Sequence, residues 1–412
     1  MKKKLKSLTA SLLVIVLLFT FSPQVIATGE VNIKDIETRV QALLVANPET
    51  GEIYYSKFPT KILGIASMTK MLTYLVIKDE IAQGLYKLTD TVKITEEAAK
   101  YAAPGNSKMD LIVGEVITIE DLLKGLMIVS GNDAATALAL KSSKTIKDFV
   151  VKMNAKAKEI GLTDYHFINP TGLSEYKKVG NKKVADYNKL PAVGLLKLAA
   201  HIVSKYPEVE EYGKLPNLSM PERNFVGEHT TSLFKSLPGL RGLKTGFTDE
   251  AKWNFTGYVD LDEFHPGQKF KLVTVVTGAE TPKVRDEATR ALVQYVDNNY
   301  QYKDILGYDK QYPVVDFEAR DTIDGTFPLY LDRPIEGIFA KRVNPEISYT
   351  LFEDKKAPFE DGEILGEVII KYEGKELDKV NLINKGYKPK LNAINRTIEF
   401  LKDIIRKLML VF

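Results

Sequence analysis

Ala66-Ser-Met-Thr-Lys-Met-Leu-Thr-Tyr74 decides how this chain is read. Apolar residues at Met71, Leu72, Leu75 and Val76 follow the i, i+1, i+4, i+5 rhythm of a helix that packs one face into a core. Ser67 stands at the start of that helix, where small hydroxyl residues serve as N-caps. Lys70, one turn on, projects over the same face. Two readings stay open here. Ser67 is either a cap followed by a solvated lysine, or a nucleophile with its base one turn away. A serine hydroxyl attacks poorly until a base takes its proton, and a lysine can take it only when held neutral. The Ser-x-x-Lys pattern recurs at Ser174–Lys177 and Ser232–Lys235. Neither copy opens a periodic apolar run, so context selects Ser67.

Composition narrows the chemistry. With 412 residues, 44% hydrophobic and 27% charged, the chain is long enough for two domains and reads as ordinary globular protein. The absence of cysteine removes disulfides, thiolate nucleophiles and cysteine-bearing zinc sites. Four histidines, His166, His201, His229 and His265, show no metal-binding spacing. No metal and no cofactor is expected.

Lys2, Lys3, Lys4 and Lys6, the apolar run 12–21 and the small-residue ending at Ala27 are expected to form a secretory signal peptide over residues 1–27. Its removal takes away four lysines and no acids, so the formal charge moves from +3 to −1. A near-neutral body argues against nucleic acid as a partner.

Along the mature chain, residues 40–46 read as a buried strand, 47–51 as a turn and 52–56 as the returning strand. Helical sequence over 122–129 stops at Ser130-Gly131-Asn132, and an alanine-rich helix resumes over 133–140. Glycine for the turn and asparagine as the next N-cap are the simplest account of that tripeptide. Further helices are expected over 145–160 and 191–203, with a polar loop carrying Asn169-Pro-Thr-Gly-Leu173 between them. Lys244-Thr245-Gly246 lies in strand-like sequence, followed by strands 254–261 and 270–277 and a helix over 283–299.

The fold expected for residues 30–300 is therefore α/β (α+β): a mainly antiparallel sheet with a helical lobe beside it. Residues 304–386 alternate in short segments broken by turns and read as a small all-β domain. In residues 388–412, Leu391, Ile394, Ile398, Leu401, Ile405, Leu408 and Phe412 form one apolar stripe, and six basic residues face two acidic ones. This is expected to be an amphipathic helix making peripheral membrane contact. Packing on its own domain or on a second copy stays open.

Ser67-x-x-Lys70, Ser130-Gly-Asn132 and Lys244-Thr-Gly246 occur in that order, the last two once each. Together they resemble the signature shared by class A β-lactamases and penicillin-binding proteins. Ala66-Ser-Met-Thr-Lys70, Ser130-Gly-Asn-Asp-Ala134, Asn169-Pro-Thr-Gly-Leu173 and Lys244-Thr-Gly-Phe-Thr-Asp249 are more closely similar to the low-molecular-mass penicillin-binding proteins of the D-alanyl-D-alanine carboxypeptidase type. The order of segments resembles that family over essentially the whole chain.

The resemblance implies a β-lactamase/transpeptidase-like catalytic domain acting on peptidoglycan stem peptides that end in D-Ala-D-Ala, with β-lactams as covalent inhibitors. It implies Ser67 as nucleophile, Lys70 as base and Ser130 as proton relay. Asn132 would hold the substrate amide, Lys244 and Thr245 the terminal carboxylate, and Gly246 would let the strand approach the ligand. The backbone N–H groups of Ser67 and Phe247 would form the oxyanion hole. Arg223 and Arg285 are both candidates for helping with the carboxylate. It also implies a position on the outer face of the cytoplasmic membrane.

Two other readings remain. A β-lactamase of the same fold needs a deacylating glutamate after Ser-x-Asn, and residues 163–173 contain Asp164 but no glutamate. A non-catalytic wall-binding or sensory module would have no reason to keep both lysines.

Overall fold

The computed structural model describes residues 32–231, 233–305, 313–342, 344–372 and 374–409. The expected signal peptide, Ser232 and Phe412 lie outside them. The main sheet has five antiparallel strands in the order Leu240–Thr248, Lys252–Asp260, Lys271–Ala279, Ala42–Ala46, Ile53–Lys57. The central strands are almost entirely buried, because both faces are covered. On one face lies the amphipathic helix Pro282–Asn299, whose Val284, Ala288, Ala291 and Leu292 join one core cluster. The other face meets the helical lobe, built on Lys70–Ala82, Ile119–Met127, Asn132–Ser142, Ile146–Glu159 and Ala192–Lys205.

The helix Lys70–Ala82 runs through the middle of that lobe with nearly every residue buried, which its apolar run anticipates. Buried Asp79 ties it to two neighbours, accepting from Lys205 Nζ at 2.7 Å and Lys156 Nζ at 2.5 Å. The first residues of the segment wind more tightly, as a 3-10 turn over Ala66–Thr69.

The sheet's outer edge matters most for function. Leu240–Thr248 has a partner on one side only, and its other edge faces the 3-10 turn. Gly246 makes that approach possible: a Cβ there would sit 2.6 Å from Ile65 O and 3.1 Å from Ser67 N. The glycine thus accommodates the protein's own backbone as well as any ligand.

Residues 315–384 form a separate five-stranded antiparallel sheet, in the order Val315–Ala319, Gly325–Leu331, Lys375–Asn384, Ile364–Tyr372, Glu346–Leu351. Phe317, Phe327, Phe359 and Leu382 centre its own core. At the junction, strand Tyr300–Asp304 pairs with Glu336–Ala340. The antiparallel sheet with a helical lobe and the all-β unit agree with the fold class expected from the sequence. The terminal helix Ala393–Met409 exposes Ile394, Ile398, Leu401 and Ile405. Among the described residues no helix is long and apolar enough to cross a membrane.

Candidate active site

Ser67 does not cap the helix. No side chain caps the 3-10 turn or the α-helix after it. Instead Ser67 Oγ lies 2.9 Å from Lys70 Nζ. Lys70 is fully buried, and its Nζ donates to Asn132 Oδ1 at 2.7 Å and to the Thr171 carbonyl at 2.7 Å. Neither of those oxygens has a hydrogen to give. A neutral amine has two N–H donors and one lone pair. An ammonium would donate to all three oxygens, whereas the amine held neutral keeps two donors for the carbonyl oxygens and a lone pair for the Ser67 hydroxyl. The electrostatics agree: burial pulls the Lys70 pKa well below its ordinary value, Lys244 adds to the shift, and Asp133 opposes it.

The Thr171 carbonyl is held in place by its loop. Asn169 Oδ1 accepts from Gly172 N at 2.8 Å and Thr171 Oγ1 at 3.1 Å, while Thr73 on the Lys70 helix donates to Pro170 O at 2.8 Å. Gly172 adopts φ +85°, and a Cβ there would fall 2.0 Å from Ala66 O. The loop and the serine turn interlock at this glycine.

Ser130-Gly131-Asn132 is the expected link between two helices, but its parts are exchanged relative to the sequence reading. Ser130, not Gly131, takes the left-handed conformation, with φ +62°, and Gly131 has φ −53°. The Asn132 side chain is no cap, since it accepts from Lys70. Strain at a non-glycine residue is characteristic of positions whose side chain must be aimed. The Ser130 hydroxyl is buried, lines the cleft and has no hydrogen-bond partner among the described residues. Asp133, next in sequence, accepts from the backbone of Met109 and Leu111 and so anchors the loop that brings Asn106 and Ser107 into the cleft.

The opposite wall is the edge strand. Lys244 is buried, and its pKa is lowered to about 7 by burial first and then by the Arg285 charge. Thr245 Oγ1 lies 2.7 Å from Thr230 Oγ1. Phe247 is half-exposed and stacks on Trp253 with ring centroids 4.0 Å apart. The cleft between the walls measures about 340 Å³, and Ser67, Ser130, Asn132, Thr245, Gly246, Phe247 and Arg285 line it.

All eight residues singled out in the sequence therefore meet at one place. Of the two candidate arginines, Arg285 lines the cleft. Arg223 is occupied by Glu115 and the carbonyls of Met109 and Asp110. The second Ser-x-x-Lys copy is dispersed: Ser174 Oγ donates to Glu250 and Lys177 pairs with Asp186. No Asp or Glu lines the cleft among the described residues, and Asp164 lies on the surface. Thr230 and the Thr171 carbonyl were missed in the sequence. Only the Asn-Pro-Thr-Gly turn gave a signal for the latter, and none marked Thr230.

A profile of the D-alanyl-D-alanine carboxypeptidase family matches residues 29–281. The D-alanyl-D-alanine carboxypeptidase DacF of Bacillus subtilis is 30% identical over 379 residues, 90% of this chain and 92% of the relative. Among solved structures, a peptidoglycan synthesis regulatory factor (PBP3) from Streptococcus pneumoniae matches with a TM-score of 0.64 at 25% identity, over 85% of this chain and 99% of that one. Penicillin-binding protein D2 from Listeria monocytogenes, in its ampicillin-bound form, matches with a TM-score of 0.52 at 25% identity, over 62% of this chain and 97% of that one.

Proposed function

The chain belongs to the D-alanyl-D-alanine carboxypeptidase family of peptidases, and from this we propose that it removes the terminal D-alanine of peptidoglycan stem peptides through a Ser67 acyl-enzyme. One observation carries the mechanism: Ser67 Oγ lies 2.9 Å from an amine whose two other contacts are carbonyl oxygens.

Ser67 Oγ attacks the penultimate D-alanine carbonyl as its proton passes to Lys70. The backbone N–H groups of Ser67 and Phe247 receive the oxyanion. As the C–N bond breaks, Ser130 hands the leaving amine a proton drawn from Lys70, for which a hydroxyl suits because it both donates and accepts. Water then attacks the ester, Lys70 again taking the proton. The unpaired edge of the Leu240–Thr248 strand offers backbone partners to an extended peptide. Lys244, Thr245 and Arg285 receive the terminal carboxylate. β-Lactams acylate Ser67 by the same route. Among the described residues no carboxylate lines the cleft in the place of the deacylating glutamate of a class A β-lactamase, which favours the carboxypeptidase over a β-lactamase.

The pH profile tests the pairing of lysines. Lys70 works deprotonated and Lys244 protonated, and kcat/KM reports the free enzyme. The rate therefore rises as Lys70 loses its proton and falls as pH passes about 7, where Lys244 loses its charge. Lys244→Arg should move the falling limb to higher pH, since a guanidinium stays charged. Lys244→Ala should lower kcat/KM by about 30- to 160-fold, the equivalent of about 2–3 kcal/mol for a charge-assisted contact. An unmoved falling limb in the arginine variant contradicts the role given to this strand.

Residues 393–409 support a peripheral contact with the outer face of the cytoplasmic membrane, reached through a cleaved signal peptide. Exposed Ile398 and Ile405 lie on the apolar stripe. Interfacial binding scales with buried apolar area, at roughly 25 cal/mol per Å², plus about 1 kcal/mol for each basic residue near an anionic surface. A chain ended at Asn392, or one carrying Ile398→Glu and Ile405→Glu, should leave the membrane fraction with peptide hydrolysis intact. Retention on the membrane would show that the stripe packs against protein instead.

A further inference from the structure

The cleft has two chemically different ends. Thr230, Thr245 and Arg285, backed by Lys244, make one cationic. Leu173, Phe247 and Trp253 make the other apolar. With the terminal carboxylate at the cationic end, the upstream part of the peptide leaves over the apolar end. There the chain leaves the cleft wall as an exposed antiparallel hairpin, Glu175–Val179 paired with Lys182–Asp186.

The hairpin is fixed at its base and bare at its tip. Ser174 Oγ and Tyr176 Oη donate to Glu250 at 2.6 and 2.7 Å, and Glu250 sits in the turn just after the Leu240–Thr248 strand. The hairpin's two acids, Glu175 and Asp186, pair across its base. From Lys177 to Lys183 there are four lysines and no acid. Lys177 reaches back to Asp186 and Lys183 lies over the Tyr176 ring. Lys178 and Lys182 have no ion-pair partner among the described residues. Lys178 and Lys183 stand directly opposite each other, a like-charge pairing that weakens a two-stranded ribbon. Exposed Val179 and Val184 give the tip no core to compensate. An element that spends stability on concentrated charge, anchored to the wall of a substrate cleft, is explained by an anion that passes it.

We propose that the 175–186 hairpin is a docking arm for free carboxylates upstream of the scissile bond, with Lys178, Lys182 and Lys183 providing the charge. This rests on the substrate direction given above. The dimensions suit it. A five-residue strand spans about 17 Å, and three extended upstream residues span about 10 Å. Charges on the arm act on such groups over about one Debye length, roughly 8 Å at physiological salt. The arm selects peptides by charge, and salt weakens the selection.

The test uses the full chain with Ser67→Ala, so that peptide binds without turnover. Two fluorescent peptides ending in D-Ala-D-Ala are compared, one with two upstream glutamyl carboxylates and one with those carboxylates amidated. At low ionic strength the acidic peptide should bind about tenfold more tightly. Lys178→Glu with Lys182→Glu should erase the preference, as should high salt. In the Ser67 background the same pair of changes should leave benzylpenicillin acylation unchanged, which shows an intact cleft. Equal affinity for the two peptides, or a preference that survives charge reversal, overturns the proposal. Reversal-sensitive binding of a glycerol-phosphate polymer without any peptide preference assigns the arm to an anionic polymer and also overturns it. If the active enzyme releases no D-alanine from either peptide while the preference persists, the carboxypeptidase reading fails and the docking arm stands.

Discussion

Replacing Lys70 by methionine lowers kcat/KM for a D-Ala-D-Ala peptide by about 10³-fold or more, and penicillin acylation with it, while the protein stays folded. Removing a general base from a serine nucleophile typically forfeits 10²–10⁴ in rate, roughly 3–5 kcal/mol. The fold is expected to survive because methionine has a similar length and escapes the desolvation that depresses the Lys70 pKa. Against that gain, Asn132 Oδ1 and the Thr171 carbonyl lose a donor each. The opposing effects leave a net change within about 2 kcal/mol. Thermal unfolding and acylation rate, measured on one preparation, separate the two. A variant that still acylates within tenfold of the parent would remove Lys70 from the mechanism.

Gly172→Ala should have the largest effect on stability of any alanine substitution near the cleft. Two costs add: alanine is strained at φ +85°, and its Cβ would lie 2.0 Å from Ala66 O and 2.8 Å from Ser67 N, backbone atoms that cannot swing aside. The loop must back away from the serine turn, taking the Thr171 carbonyl from Lys70. Destabilisation of about 3 kcal/mol or more is expected, with loss of acylation in whatever remains folded. Gly51→Ala is the control, since Gly51 has a similar φ of +75° and open space around it. That variant should lose only about 1–2 kcal/mol and keep its activity. Equal losses in the two variants would show that backbone strain alone, without the contact, sets the cost.

The two predictions differ in how far the sequence foretold them. Ser67 and Lys70 were legible because a helix imposes its period on side chains, so a motif at a helix start has a definite geometry. The antiparallel hairpin after Gly246 and the helix Pro282–Asn299 were legible for the same reason, through alternation and amphipathicity. Thr171 was not, because its contribution is a backbone carbonyl that any residue type supplies. Ser130 misled: glycine is the usual resident of left-handed backbone, yet here serine takes that conformation and Gly131 does not. The 175–186 hairpin read as polar loop, since its two faces carry no apolar alternation. Strands Val315–Ala319 and Gly325–Leu331 were passed over for lack of a long periodic run. Arg285 became distinguishable from Arg223 only when the fold showed which one Glu115 already holds.

The identity of the acylated residue tests the central claim most directly. The full chain is incubated with benzylpenicillin, digested with a protease, and the penicilloyl adduct located by fragmentation mass spectrometry. The account predicts a single adduct on Ser67, lost in Ser67→Ala together with D-alanine release from a D-Ala-D-Ala peptide. An adduct on Ser130, Ser174 or Ser232, or D-alanine release that persists in Ser67→Ala, would contradict it.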